Sequence, residues 1–296
     1  MADAEDLDLK LVRAFTVVAE RRHFGRAAES LHVTQSSLSR QIVRLEQQVG
    51  ARLLNRTPQG TQLTEAGEAF LPLAVAVLRS SAQAAARART AASPSRVIIG
   101  FTGDLIVTPA VRELRHRHPD AEVRTQHVDW QQPHRALLDH EVDAVVTRLP
   151  FPTDGLQVTV LYDEPRVLLV PREHRLAGKE SVTLDDIADE PMARINDPLR
   201  DAFWRIDPRP DGSRAPDGPL IKALGDKFEV VASGDAVVVV PGGSWLESVR
   251  PDLAVIPLHG VEPSHVVLAT RAGERARLVM AFCRYARAQL TGPVLH

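Results

Sequence analysis

One cysteine, Cys283, occurs in 296 residues, so an intrachain disulfide is excluded. That scarcity fits a reducing compartment. No apolar run approaches the roughly 20 residues that a membrane-spanning helix requires. Short runs such as VLLV at 167–170 and VVVV at 237–240 suit buried strands. The opening MADAEDLDLK is acidic, unlike a secretory signal, and predicts a cytoplasmic protein with no membrane partner. No GxSxG elbow, P-loop or zinc-spaced Cys/His set is present. His116 and His118 flank Arg117 just before Pro119, which reads as a surface pair rather than metal ligands. GGSW at 242–245 offers a serine without a partnered His and Asp, so Ser244 is expected to cap a helix. The expectation is a protein that is not an enzyme and needs no metal or cofactor.

The chain is 44% hydrophobic and 25% charged, as in soluble globular proteins, and its length fits two or three compact units. Net charge is −2 but uneven. Leu9 to Gln62 holds nine Lys/Arg against three acids, a net of +6 that leaves −8 elsewhere. A basic N-terminal unit on an acidic body points to a polyanion partner at that end, or to a solvated basic surface.

Residues 8–21 carry apolar side chains at 11, 14, 15, 18 and 19, a helical spacing. HFGRAAESL follows as a short helix, with Ala27, Ala28 and Leu31 as its buried side and two small alanines that admit a close neighbour. His32-Val33 turns the chain, and Thr34 is a natural N-cap. In the next helix Leu38, Ile42, Leu45 and Val49 form a narrow apolar stripe, Ser36, Ser39, Arg40, Val43 and Gln47 lie mostly opposite, and Gly50 ends it. Two short helices across a tight turn, the second with a polar outer face, make a helix-turn-helix whose second helix enters the DNA major groove. There Arg suits guanine, Gln suits adenine, and Ser accepts several bases. After Gly50, Leu53-Leu54, a turn at Pro58-Gln59-Gly60 and Thr61-Gln62-Leu63 read as a β-wing, with Arg56 and Thr57 suited to phosphates. Thr64 caps a fourth helix running to about Thr90, with Glu65 and Glu68 near its positive end. Ala66, Phe70, Leu73, Val77 and Ala84 give an approximately heptad seam, interrupted by Ser80 and with Pro72 inside. Such a seam reads as a dimerisation face, or as a linker helix packed on its own domain.

The stretch FTVVAERRHFGRAAESLHVTQSSLSRQIVRLEQQVGARLLNRTPQGTQLTEAGEAFLP resembles the DNA-binding region of LysR-type transcriptional regulators. The resemblance covers about residues 8–90. It implies a winged helix-turn-helix, a dimerising linker helix and a C-terminal effector-binding domain. The family's DNA-contacting set falls on Thr34, Gln35, Ser36, Ser37, Ser39, Arg40 and the wing Arg56, and Arg44 and Thr57 join the expected DNA-binding residues. Ser36-Ser37 departs from the Pro-Ala or similar pair often found there, so an operator sequence does not transfer.

Beyond Ala91-Ala92-Ser93-Pro94-Ser95, a short hinge, RVIIGF, a helix from Thr102 to about His118, AEVRTQHV, HRALLDHE and VDAVVTRL read as βαβαβ with a parallel sheet. VLYDEPRVLLVP resembles the family's crossover to a second subdomain, SVTLDDIADEP a short helix introduced by Thr183, and 207–219 a Pro/Asp/Gly loop. DKFEVVASGDAVVVVPGGSWLE fits helix, strand, turn and helix; LAVIPL and SHVVLAT are strands, and a last helix at about 275–290 packs back on the first subdomain. The resemblance over 96–290 is to a periplasmic-binding-protein-like effector domain. Ligands of such sheets bind at the carboxyl ends of strands. The turn Gly100-Phe101-Thr102-Gly103-Asp104 offers N–H groups to an anion or simply a helix cap at Asp104. Arg148, after Thr147, is expected to hold a carboxylate bidentately or to pair with a neighbouring acid, and Trp130 to stack on a planar ligand or sit in the core. Phe203 and Trp204 are placed by position.

The fold class expected is a two-part α+β chain: a winged helix-turn-helix at 1–64 with a linker helix at 65–92, then a two-lobed α/β periplasmic-binding-protein-like effector domain at 93–296. Lobe 1 is set at about 96–162 and 269–291, lobe 2 at about 163–268. The expected effector-binding residues are Thr102, Gly103, Trp130, Thr147, Arg148 and Phe203. The function read from all this is a transcriptional regulator that binds double-stranded promoter DNA, takes a small-molecule effector and forms a homodimer or homotetramer. A solute-binding protein or an enzyme using the C-terminal cleft is the alternative.

Overall fold

A computed structural model describes residues 7–57, 60–92, 95–221, 225–243 and 250–292; the side chains of 56, 57, 86, 87 and 89–92 are outside that description. The chain divides into two compact units, Met1–Ala92 and Ser93–His296.

In the first unit, α1 (Leu9–Arg21) starts at Asp8, whose carboxylate accepts from Lys10 N at 2.8 Å. α2 (Phe24–Ser30) is capped by the His23 ring, which accepts from Gly25 N and Arg26 N. α3 (Gln35–Val49) has the boundaries read from sequence: Thr34 Oγ1 accepts from Ser37 N at 3.2 Å, and Gly50 takes the left-handed conformation at φ 74°. Leu38, Ile42 and Leu45 are buried with Phe15, Val18, Ala27 and Ala28, and Val49 packs at the margin. Val12 is fully buried and Ala19 only half-buried, the reverse of the expected stripe. The reason is that α1 is packed from several sides, by α2, α3 and the elements that follow, so its apolar face is wide.

The wing is an antiparallel pair, β1 (Leu54–Thr57) and β2 (Gly60–Leu63), in register Leu54↔Leu63 and Thr57↔Gly60. Pro58 and Gln59, expected in its turn, lie outside the described residues. Glu46 of α3 ties the wing's base down, accepting from Leu53 N at 2.8 Å and Leu54 N at 3.2 Å. Thr64 Oγ1 accepts from Gly67 N and donates to Arg52 O at 2.7 Å, so one side chain both caps α4 (Glu65–Ala92) and grips the wing. α4 passes so close to the wing here that a Cβ on Gly67 would stand 2.1 Å from Leu53 O.

The expected α4 seam divides. Ala66 and Phe70 pack on the unit's own core with Leu71, Ala74 and Leu78, the Phe70 ring 5.4 Å from Phe15. Leu73 and Val77 are exposed, at 66% and 41%, and Ala84 is exposed with them. At about 100° per residue these exposed positions lie a quarter-turn from the face carrying Phe70, Ala74 and Leu78. α4 therefore has two apolar faces, one of them packed on the unit's own core.

The second unit begins with β3 (Arg96–Thr102), α5 (Thr108–Arg117), β4 (Glu122–Val128), α6 (Pro133–Leu138), β5 (Ala144–Arg148) and β6 (Leu156–Glu164). β3 is parallel to both β4 and β5. Lobe 2 holds β7 (Arg166–Pro171), a 3-10 turn at Asp185–Ile187, β8 (Met192–Ile195), α7 (Pro198–Arg205), β9 (Asp217–Ile221), α8 (Asp226–Ala232), β10 (Val238–Pro241) and β11 (Leu253–Pro257). The chain returns with β12 (Ser264–Arg271), antiparallel to β5 and β6, completing a five-stranded sheet of order β4-β3-β5-β12-β6. α9 (Arg277–Gln289) packs on this first sheet through Leu278, Phe282 and Ala286 beside Val97, Ile99 and Leu114, as expected. Cys283 is buried in the same cluster, and burial pushes its thiol above the ordinary value, which keeps it a packing residue.

Several expectations are corrected. β12 pairs with β6 from Ser264 onward, so lobe 2 ends before 264 rather than at 268. α5 starts at Thr108, not Thr102. Thr183 does not introduce its turn; it donates from N and Oγ1 to Asp186, whose carboxyl is held down at about 2, chiefly by the Lys179 hydrogen bond. The 207–219 loop ends in β9 at Asp217, and its inner side is held by charge rather than left loose. Arg205, buried, donates to Asp201, Ala215 O and Asp217, and Asp207 accepts from Ala215 N. Ser244 lies outside the described residues.

Gly67→Ala is expected to destabilise the first unit by about 1–3 kcal/mol or more, because a backbone carbonyl faces the new methyl. Differential scanning calorimetry should show the loss in the N-terminal transition and none in the C-terminal one.

Candidate functional site

The outer face of α3 presents the residues expected to meet DNA. Thr34, Gln35, Ser36, Arg40 and Arg44 are exposed, and Ser37 and Ser39 half-buried. Thr34's hydroxyl lies 3.1 Å from Ser36 Oγ besides capping the helix, so its first duty is local. Arg40 Nε reaches Ser36 O at a long 3.4 Å, leaving the exposed guanidinium geometry suited to a bidentate contact with a base edge. Val43 is 51% exposed on this polar face. The Arg56 and Thr57 side chains lie outside the described residues.

The second candidate is a cavity of about 440 Å3 in the second unit, between its lobes. Thr102, Gly103, Trp130, Thr147 and Arg148 all line it, so the strand-end positions chosen from sequence do converge. Their chemistry differs from expectation. Thr102 Oγ1 donates to Thr147 Oγ1 at 2.9 Å, and both are buried, so the two hydroxyls satisfy each other. Arg148 does not wait for a ligand. Its Nε and Nη2 donate to Glu164 at 2.6 and 3.1 Å, its Nη1 and Nη2 to Asp104 at 2.7 and 3.3 Å. Burial opposes the guanidinium charge, but the bonds and charges of Glu164 and Asp104 outweigh it and raise the pKa. Asp104 is thus an ion-pair partner rather than a helix cap, and α5 begins too late to aim its N-terminus at this turn.

Trp130 is covered by Arg200 of α7, whose guanidinium carbon stands 4.9 Å from the ring centroid, so the indole face is already occupied. Phe203 is not in the lining. Its ring lies under Arg166 at 4.3 Å, edge-on to Trp204, and Trp204 takes the cleft position instead. One residue step along α7, about 100°, puts the two neighbours on different faces.

Arg200, Lys227, Phe228 and Ile195 also line the cleft and were not foreseen. Lys227 is pushed down to about 8, by burial first, while Asp104 favours and Arg148 disfavours its charge. A local signal existed for Arg200: Asp197-Pro198 is an N-cap followed by a helix-starting proline, and Asp197 accepts from Leu199 N and Arg200 N. Lys227 has no such marker. Among the described residues no group of three or more His, Cys, Asp or Glu could hold a metal.

A winged helix-turn-helix unit and a two-lobed α/β unit with a polar-ended cleft define a class of ligand-binding, helix-turn-helix protein. Residues 9–68 match the family of bacterial regulatory helix-turn-helix proteins, lysR family, and residues 93–291 match the LysR substrate binding domain. The chain belongs to the LysR family. The Hca operon transcriptional activator HcaR of Escherichia coli (strain K12) is 35% identical over 221 residues, 73% of this chain and 70% of HcaR. The HTH-type transcriptional regulator AlsR of Bacillus subtilis (strain 168) is 34% identical over 194 residues, and the match spans 64% of each protein, less than two thirds of AlsR. The crystal structure of full-length CbnR complexed with target DNA shares the fold, with a TM-score of 0.52 at 22% identity over 95% of this chain and 99% of CbnR.

Glu164 is 2% exposed and Arg148 13%. Removing one partner of a buried pair costs about 3–5 kcal/mol. Glu164→Ala is therefore expected to lower the melting temperature of the second unit markedly. Asp104→Ala, at the more open end, should cost less and should lose its effect in high salt.

Proposed function

We propose that the protein is a ligand-responsive, sequence-specific DNA-binding transcriptional regulator, not an enzyme, acting as a homodimer or homotetramer. The observation that carries the reading is the division of α3: Leu38, Ile42 and Leu45 are buried while Gln35, Ser36, Arg40 and Arg44 face outward on a unit of net positive charge. Relatives named as transcriptional regulators, and a fold shared with a protein solved on its target DNA, support it. No helix among the described residues is long and apolar enough to cross a membrane.

α3 lies in the major groove, with Gln35, Ser36, Ser39 and Arg40 at base edges and Thr34, Ser37 and Arg44 toward the backbone, and Arg56 and Thr57 of the wing complete the DNA-binding set. The exposed Leu73, Val77 and Ala84 of α4 pair two copies, so that two recognition helices read two half-sites. The small-molecule effector occupies the cleft lined by Thr102, Gly103, Trp130, Thr147 and Arg148 and shifts the population of lobe arrangements. That shift requires tighter binding to one arrangement than to the other.

Footprinting on the DNA upstream of the protein's own gene, with and without candidate metabolites, tests the reading. Arg40→Ala should weaken specific binding by about 1–3 kcal/mol and relax base preference at one position; unchanged affinity and preference would remove α3 from the groove. Leu73→Glu with Val77→Glu should dissociate the oligomer in sedimentation experiments while circular dichroism shows the first unit still folded, since both side chains are exposed in the single chain. A variant that sediments like the parent would reject α4 as the pairing face.

A further inference from the structure

α5 and α9 pack side by side on one face of the five-stranded sheet, through Ala110, Val111 and Leu114 on one helix and Leu278, Phe282 and Ala286 on the other. Their outer faces turn to solvent together, and both are basic. α9 carries Arg277, Arg284 and Arg287 and no acid along its 13 residues. All three are exposed, and at about 100° per residue they fall within roughly a quarter-turn. α5 adds Arg112, Arg115 and His116, also exposed. Arg115 and Arg287 donate to neutral acceptors, Val123 O at 2.8 Å and Thr159 Oγ1 at 3.2 Å, so their charges stand. Among the described residues Arg112, Arg277 and Arg284 have no ion-pair partner. The acids at the margin are engaged: Glu113 with Arg117 at 2.8 Å, Glu122 with Arg124, and Glu274 with Arg271 at 2.9 Å. Asp120 lies beyond the C-terminal end of α5.

Helix stability accounts for only part of this. Arg115, His116 and Arg287 suit the negative ends of their helices. Arg277 stands at the positive end of α9, where the dipole disfavours a cation. Arg112 with Arg115, and Arg284 with Arg287, are like charges three residues apart, which weakens a helix. The chain outside residues 9–62 is net −8, so the layer is basic against an acidic background. Met280 is the large apolar side chain exposed on these two helices. A protein partner would call for an apolar centre, whereas phosphates call for cations alone. Arg277 and Arg284 stand about 10 Å apart along the helix axis, about three base steps of a duplex.

We propose that the outer face of α9, flanked by Arg112 of α5, is a second, sequence-independent contact for the phosphate backbone of double-stranded DNA. The inference rests on the regulator reading, in which the first unit holds the same DNA and tethering raises the effective concentration of phosphates at this face. Contacts of this kind add affinity and position the duplex without reading bases.

The test uses the full chain and two long duplexes, one from the DNA upstream of its own gene and one of scrambled sequence. Fluorescence anisotropy gives the affinities from about 50 to about 200 mM salt. Each phosphate contact contributes about 0.9 to the slope of log affinity against log salt, so Arg277→Ala with Arg284→Ala should lower the slope by about 1.8 on both duplexes. Arg277→Lys with Arg284→Lys should keep it. Arg172→Ala, which removes an exposed arginine of lobe 2, should leave it unchanged. Thermal melts and sedimentation compare the folding and assembly of each variant with the parent. An unchanged slope in the folded double alanine variant overturns the proposal, as does a loss as large per charge in Arg172→Ala. A double alanine variant that sediments differently from the parent also overturns it, because the face then meets a second copy. A clear preference for the upstream duplex with an unchanged slope leaves the regulator reading intact. The expected slope change with no preference between the duplexes supports the contact and counts against sequence-specific regulation instead.

Discussion

The pairing of Arg148 with Glu164 is the constraint around which the second unit is arranged. Arg148 ends β5 and Glu164 ends β6, and β12 lies between them, with Ser264 opposite Glu164 and Val266 opposite Arg148. The pair therefore clamps three strand ends where the chain crosses between lobes. A guanidinium buried there must be paired, because the cost of an unpaired buried charge exceeds what any local packing returns. Asp104 completes the pairing and ties the turn after β3 to the end of β5.

Local signals survive the transfer from sequence to structure, and long-range ones do not. Thr34 and Gly50 bound α3 to the residue because a cap is settled by a hydroxyl or a left-handed backbone within four residues. The strand-end rule likewise brought Thr102, Trp130, Thr147 and Arg148 to one cavity. What each side chain does there was not legible. Arg148's partners lie 44 and 16 residues away in sequence, and Trp130's cover comes from α7 of the other lobe. Phe203 and Trp204 are adjacent and both aromatic, and only the rotation of α7 decides which one faces the cleft.

α4 shows a different limit. Its alanine-rich sequence supports two apolar faces a quarter-turn apart, and both satisfy a helical period. Ala66 and Phe70 fit the heptad seam with Leu73 and Val77, yet they are drawn to the unit's own core by Phe15. Periodicity records that a residue belongs to some buried face; it does not record whether that face meets its own unit or a second copy. Leu73 and Val77 are the part of the seam that this core leaves exposed.

The energy scale of switching narrows what an effector must touch. Moving a two-state equilibrium from 1:99 to 99:1 takes about 5.5 kcal/mol of differential binding. Apolar contact with one lobe contributes nothing to that difference, since it is made equally in both arrangements. Hydrogen bonds to a charged group contribute about 1.5–3 kcal/mol each, so two of them, made only when the lobes close, reach the required scale. Arg148's bonds to Asp104 and Glu164 are all within lobe 1 and are already made, so they supply none of that difference. The residue that most resembles a ligand clamp in the sequence is thus a structural brace.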